Sequence, residues 1–534
     1  MGLELRRRGT QRWEMPRLRI DDREVDVPAG ATVLEAAARA GIEIPTLCHF
    51  PGKPAQTSCL VCVVKVNGAP RLLPACATRV TNGMVVENNS AEVRAARRTA
   101  LELILGDHLG DCVGPCVSVC PAHMDIPGML RLVSEGKLRE AVAKVKERIP
   151  LPASLGRTCP ELCERGCRRT PHDGAVSICL VKRFVGDADL ASADPYLPEK
   201  APPTGKKVAI VGAGPAGLSA AWFLLLHGHA VTIFDEHGKP GGSLRYETDP
   251  VLLPEEVLDA EIGLILKLGA EFAGNRMLGR DVTLSELKTR FDAVLLACGQ
   301  LPADRLQTLG VPFEGRGVKT NRKTFQTDDP AVFAAGSVVL PLKHDVHAVG
   351  AGRMAADAIA LHLAGKPVEV EDHPYSVHAG SMEGEALQAF LAFGAPVART
   401  QAAKKDGLTR EQAQTEGKRC LQCACCAPGG CRLRRYAMEY GANQARFRGE
   451  RPVYTRDDSH PEIVFEEGKC IKCGLCVQVA AEYKESLGLT FIGRGFNVKI
   501  AVPFNEVLRE GLKLAARACV AACPTRALSP KKLP

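Results

Sequence analysis

Aromatic side chains are scarce in this 534-residue chain: they make up 5% of it, with two tryptophans and seven tyrosines. The basic residues are not interleaved with stacking rings, so a formal charge of +8 is poor support for nucleic-acid binding. Long apolar runs are lacking as well. The longest candidates, 220–226 and 331–342, are short or glycine-broken against the roughly 18 residues a membrane span needs, so no membrane insertion is expected. The basic arm over residues 1–16 has no apolar segment behind its arginines, as an export signal requires; the expectation is a soluble chain in the reducing cytoplasm. No P-loop, Ser-His-Asp set, paired-carboxylate motif or fixed-period repeat occurs.

What is abundant is cysteine, 22 in all. In a reducing compartment such thiols point to metal ligation rather than disulfides. They fall at 48–76, 112–120, 159–179, 420–431 and 470–523, with Cys298 alone in a cysteine-poor stretch from about 205 to 365. The proline-rich segment 195–205 reads as the linker opening that stretch. With 46% hydrophobic and 24% charged residues, the composition is that of a globular multidomain protein.

From Leu18 the pattern predicts a strand to Val27, a helix from Thr32 to Ala40, and strands near 63–66 and 84–87. Cys48, Cys59, Cys62 and Cys76 lie among them, spaced C-x10-C-x2-C-x13-C. A close pair with one distant cysteine on each side is the geometry for two sulfide-bridged irons, whereas structural zinc usually takes two close pairs. The segment resembles the N-terminal 2Fe-2S domain of the large iron-sulfur subunit of NADH-quinone oxidoreductase and of iron-only hydrogenases, with these four cysteines at the matching positions.

Next come His108, Cys112, Cys116 and Cys120-Pro121, helical sequence, then Cys159, Cys163 and Cys167. This resembles the N-terminal domain of the glutamate synthase small subunit and of dihydropyrimidine dehydrogenase, which implies two 4Fe-4S clusters with interleaved ligands. The resemblance assigns Cys112, Cys116 and Cys167 to one cluster and Cys120, Cys159 and Cys163 to the other. It puts His108 where the first cluster's remaining ligand falls. The second cluster's remaining ligand falls in Cys179-Leu-Val-Lys-Arg183, which has no carboxylate or amide, so Cys179 is the candidate.

The sequence 208–217, VAIVGAGPAG, is followed by an apolar helix and a strand ending at Asp235-Glu236. Gly212, Gly214 and Gly217, with Pro215 and Ala216, form a turn over which a pyrophosphate can approach the helix N-terminus, and an acid about 20 residues on can hold a ribose. Gly241-Gly242, the strand ending at Gly299 and the Phe-Ala-Ala-Gly336 strand complete a resemblance to the FAD half of the glutamate synthase small subunit. That family has Asp after the last glycine where this chain has Ser337, which puts the ribityl contact in doubt. It also inserts a nicotinamide domain of roughly 100 residues; here only 300–335 intervene, and no second fingerprint exists. The expectation is FAD without a standard NAD(P)H site.

Cys420, Cys423, Cys425, Cys426 and Cys431 crowd into twelve residues, a spacing that suits 4Fe-4S or zinc. Cys470, Cys473 and Cys476 open a ferredoxin motif that Cys523-Pro524 completes; Ala480, Lys513 and Ala516 replace three ligands of a second cluster, leaving Cys519 unused. Cluster charge of about −2 each would offset the basic excess. The fold expected is multidomain α+β and α/β: a β-grasp 2Fe-2S domain over 17–100, a helical double-4Fe-4S domain over 101–190, a Rossmann-like FAD domain over 205–365, a linker with a cysteine-rich site over 366–455, and a ferredoxin-like domain over 456–534. The function expected is that of an electron-transfer subunit of a formate dehydrogenase-like or hydrogenase-like complex, with FAD, one 2Fe-2S and three or four 4Fe-4S clusters, working with other subunits. Two alternatives stand beside it: an NAD(P)H-dependent oxidoreductase with a divergent nicotinamide site, and a redox-sensing scaffold.

Overall fold

The run from Leu18 that reads as one strand is folded back on itself. Asp21 takes a left-handed conformation, φ 50°, which aspartate tolerates in turns, and Arg17–Ile20 pairs antiparallel with Arg23–Asp26. Thr32 then starts the helix Val33–Arg39 with a reciprocal cap: its hydroxyl accepts from the Glu35 amide, and the Glu35 carboxylate accepts from the Thr32 amide at 2.7 Å. The two hairpin strands join Val63–Val66, Leu73–Pro74 and Met84–Glu87 in a five-stranded sheet. Its inner face buries Leu18, Ile20, Val64 and Val86 against Ala36 and Ala37.

The structure is a computed structural model that describes residues 15–531 except 316, 371–374, 393, 404–405, 426–427 and 452–453. Cys426 and most of the basic arm lie outside the described residues. The chain divides into two units built from separated stretches, one from 1–112, 375–389 and 425–534, the other from 113–374 and 390–424. These boundaries cut through the 101–190 and 366–455 segments that the sequence reads as single modules.

In the first unit the long helix Ala91–Asp107 and elements from the far end of the chain share one apolar core, with Leu101 and Leu105 beside Tyr436, Leu475, Ala516 and Leu528. In the second unit, Ile126–Ser134, Leu138–Lys146, Pro152–Thr158, Ile178–Leu190 and Arg410–Lys418 form a helical layer. Beside it lies a parallel sheet whose strands run in the order Val332–Ala334, Ala293–Leu296, Lys207–Val211, Ala230–Phe234, Glu271–Ala273. The apolar helix Pro215–Leu226, with Trp222 fully buried, packs on this sheet and against the helix Asp345–Leu363. Among the described residues, the connection between the last two strands in sequence holds one short helix, Ala303–Thr308, and one small hairpin. No helix of the described residues is long and apolar enough to cross a membrane.

Candidate metal centres and flavin site

A recurring local device prepares the thiols. In four of the close cysteine pairs a residue between the two takes the left-handed conformation: Leu60 (φ 52°), Glu161 (φ 61°), Gln422 (φ 48°) and Lys472 (φ 57°). The turn aims the amide two residues after the first cysteine back at that cysteine's sulfur, as with Lys472 N–H to Cys470 Sγ at 3.4 Å, and likewise at Cys59, Cys159 and Cys420. Amides so directed favour a thiolate, and hence bound metal.

Five sets of side chains result. Cys48, Cys59, Cys62 and Cys76 come together at the edge of the first sheet, with Cys62 and Cys76 sulfurs 3.5 Å apart and the Cys59 amide donating to Cys48 Sγ at 3.4 Å. Cys470, Cys473, Cys476 and Cys523 line one cavity. Cys519, fully buried beside them, donates instead to the Cys476 carbonyl at 3.6 Å.

Two of the other three sets differ from the grouping that the resemblance implies. Cys116 and Cys167 do not share a cavity with Cys112; they line one with Cys420 and Cys423. Cys112 instead lines a cavity with His108, Cys425 and Cys431. The crowded 420–431 stretch is thus divided between two sites, one in each unit. Cys425 is carried to its site by its amide, which donates to the Asp111 carbonyl at 2.9 Å. Cys120, Cys159, Cys163 and Cys179 form the remaining set, with Cys179 in hydrogen-bond contact with both Cys159 and Cys163. Among the described residues no three such side chains close on a single-ion position; three of the sets line cavities.

His108 is oriented for ligation. It is buried, one ring nitrogen faces the Lys469 backbone carbonyl, and Nδ1 has no partner. Burial first, then the Lys469 and Arg451 charges, press its pKa down to about 3, so a lone pair is available at neutral pH. Metal-binding histidines hold their second nitrogen in this way. Around the Cys120 set the notable group is Lys182, buried beside the sulfurs; burial opposes its charge, but the sulfurs of Cys159, Cys179, Cys163 and Cys120 hold it above the usual lysine range. Sequence reading had no signal for this beyond the missing carboxylate.

At the parallel sheet, Asp235 accepts from the Ala213 amide at 2.7 Å and so sits at the glycine turn. A Cβ on Gly214 would meet only the Gly242 Cα, at 3.7 Å, which leaves the turn open to a pyrophosphate, whereas one on Gly217 would lie 1.9 Å from the Gly212 carbonyl oxygen. Gly241 N–H donates to the Ala213 carbonyl at 2.9 Å, laying the Gly241-Gly242 loop on the turn. Gly336 abuts Ala216, and Gly299 borders open space. Glu236 is paired with Arg305 at 2.9 Å, and the Ser337 hydroxyl accepts from the Leu342 amide. Lone Cys298 is pushed up to about 12 by burial. Gly217→Val is expected to weaken flavin retention about tenfold or more, from the ~1–3 kcal/mol that overpacking costs; the ratio of flavin to protein absorbance after gel filtration measures it.

Comparison with known proteins fits this geometry. A model described as a 2Fe-2S iron-sulfur cluster binding domain matches residues 14–91, dihydropyrimidine dehydrogenase domain II with a 4Fe-4S cluster matches 108–193, and pyridine nucleotide-disulphide oxidoreductase matches 173–356. The NADPH-Fe(3+) oxidoreductase subunit beta of Geobacter sulfurreducens is 39% identical over 203 residues, 38% of this chain and 30% of that one. The NADP(+)-dependent formate dehydrogenase subunit beta of Moorella thermoacetica is 36% identical over 212 residues, 36% of this chain and 30% of that one. The glutamate synthase [NADPH] small chain of Bacillus subtilis is 34% identical over 263 residues, 48% of this chain and 52% of that one. The chain therefore spans between 30% and 52% of the length of these relatives. It joins a 2Fe-2S domain, a 4Fe-4S domain and a pyridine nucleotide-disulphide oxidoreductase domain, the make-up of an FAD-dependent iron-sulfur oxidoreductase.

Proposed function

We propose that this chain is an electron-transfer subunit of a larger oxidoreductase complex, holding FAD, one 2Fe-2S cluster and four 4Fe-4S clusters. The observation that carries the reading is the sorting of twenty side chains, nineteen cysteines and His108, into five sets of four, each confined to one unit. When bound, FAD exchanges two electrons while the clusters pass one at a time.

In the first unit, Cys48, Cys59, Cys62 and Cys76 would hold the 2Fe-2S cluster, Cys470, Cys473, Cys476 and Cys523 one 4Fe-4S cluster, and His108, Cys112, Cys425 and Cys431 another. Cys48 and Cys473 are near enough to influence each other's ionisation, as are Cys431 and Cys523, which supports reading these three centres as near neighbours. In the second unit, Cys116, Cys167, Cys420 and Cys423 would hold one cluster and Cys120, Cys159, Cys163 and Cys179 the other, with Cys116 close to Cys120. The Cys120 set adjoins the flavin domain: Ala122 and Cys120 pack with Val346 and Val349 of the helix Asp345–Leu363. Gly214, Gly217 and Asp235 would hold the dinucleotide, with Ser337 in place of the usual acid.

His108→Ala is expected to lose most of one four-iron centre, about four irons per chain, while His108→Cys restores the iron content; iron and acid-labile sulfide assays of anaerobically prepared protein read both. The function itself is tested by adding NADH or NADPH anaerobically to the purified chain. Flavin that stays oxidised, yet is reduced once dithionite has reduced the clusters, supports the subunit reading. The relatives named for NADPH or NADP(+) favour a second reading, direct oxidation of NADPH by this chain, and bleaching within seconds would establish it.

A further inference from the structure

Buried lysines in the second unit ordinarily have a counter-charge. Lys146 donates to Asp189 at 2.6 Å and to the Tyr196 carbonyl at 2.9 Å. Lys182, one helical turn past Cys179 and only 3% exposed, has no ion-pair partner among the described residues; the groups that bear on it are the sulfurs of Cys159, Cys179, Cys163 and Cys120. The neighbouring charges are already matched. Glu164 accepts from the Cys179 amide at 3.0 Å and from Arg399, and Arg183 donates to Asp187 at 3.1 Å. An isolated ammonium in such a place is strongly disfavoured unless an anion faces it. The Cys116, Cys167, Cys420 and Cys423 set has no buried lysine among the described residues; its cations are Arg168, which lines the cavity, and Arg169, which bears on Cys420 together with Asp125 of opposite sign.

From this placement we propose that Lys182 is a positioning charge that raises the reduction potential of the centre held by Cys120, Cys159, Cys163 and Cys179. The inference rests on the cluster reading given above. Uptake of one electron, given up by the neighbouring centre or by reduced flavin, makes the centre one unit more negative, and a cation fixed beside its ligands in a low-dielectric interior stabilises that added charge. The centre packed against the flavin helix is then where an electron rests between flavin and wire.

The test is a redox titration of the full chain, followed by low-temperature EPR, for wild type, Lys182→Met and Lys182→Arg, with iron and sulfide assayed in each. Loss of the charge is expected to lower the potential of one 4Fe-4S signal by at least tenfold in its reduced-to-oxidised ratio, about 59 mV for a one-electron centre. Lys182→Arg should stay near wild type, and the other signals should not move. An unchanged potential in a fully loaded Lys182→Met protein overturns the assignment. If Lys182→Met fails to load the centre, recovery of the centre at the wild-type potential in Lys182→Arg supports the charge role, and failure to recover overturns it. The underlying reading fails separately: Cys159→Ser with the same iron, sulfide and EPR signals as wild type would show that no cluster resides there.

Discussion

Serine at both Cys420 and Cys423 removes one four-iron centre, and serine at both Cys425 and Cys431 removes a different one. Each double variant is expected to lose about four irons and four sulfides per chain, with a different EPR signal missing from each, and the quadruple variant to lose about eight. The reason is the partition of a twelve-residue stretch: Cys420 and Cys423 face Cys116 and Cys167, while Cys425 and Cys431 face His108 and Cys112. Because the two sets belong to different units, the losses should add. A single centre within 420–431 would behave otherwise, since either pair would erase the same signal and the quadruple variant would lose no more iron than a double. Iron and sulfide analysis with EPR of the dithionite-reduced proteins decides between the outcomes.

What could be read from the sequence was whatever local spacing determines. The glycine turn, the helix after it and Asp235 lie within one strand-helix-strand unit, so the reading from 208 to 235 matches the turn that the structure forms. The close cysteine pairs are likewise local, four of them closing around a left-handed residue such as Lys472 or Gln422. The matching of one pair to another is a long-range property. Nothing in the spacing of 420–431 encodes the hydrogen bond from Cys425 N–H to the Asp111 carbonyl that draws Cys425 toward Cys112. Family resemblance pointed to Cys112 with Cys116 and Cys167, because it describes chains in which the partners come from one segment. The Asp21 turn was hidden for a different reason: Leu18–Val27 has strand-like residues on both sides of two aspartates, and only the sheet's demand for a hairpin decides for a turn.

Replacing Arg419 with methionine should destabilise the second unit more than any other single change away from the metal sites. The guanidinium is wholly buried and donates to the carbonyls of Val397 (3.0 Å), Asp173 (3.1 Å), Gly174 (2.9 Å) and Ala175 (2.9 Å), as well as to the Glu416 carboxylate at 3.3 Å. Glu416, itself fully buried, accepts from the amides of Ser177 and Thr400. The pair thereby ties residues 397–420 to the loop before the helix Ile178–Leu190. Methionine fills much of the volume but leaves four carbonyls without a donor and a carboxylate buried without its cation, a loss of about 3–5 kcal/mol. For a unit of this size that corresponds to a drop of roughly 10 °C in its calorimetric transition. Cys420 follows Arg419 directly, so the iron of the Cys116, Cys167, Cys420 and Cys423 set should fall as well. Adding Glu416→Gln removes the stranded charge and should recover part of the loss, which separates the electrostatic cost from the packing cost. A transition within 2 °C of wild type in Arg419→Met would mean that this buried network does not hold the segment in place.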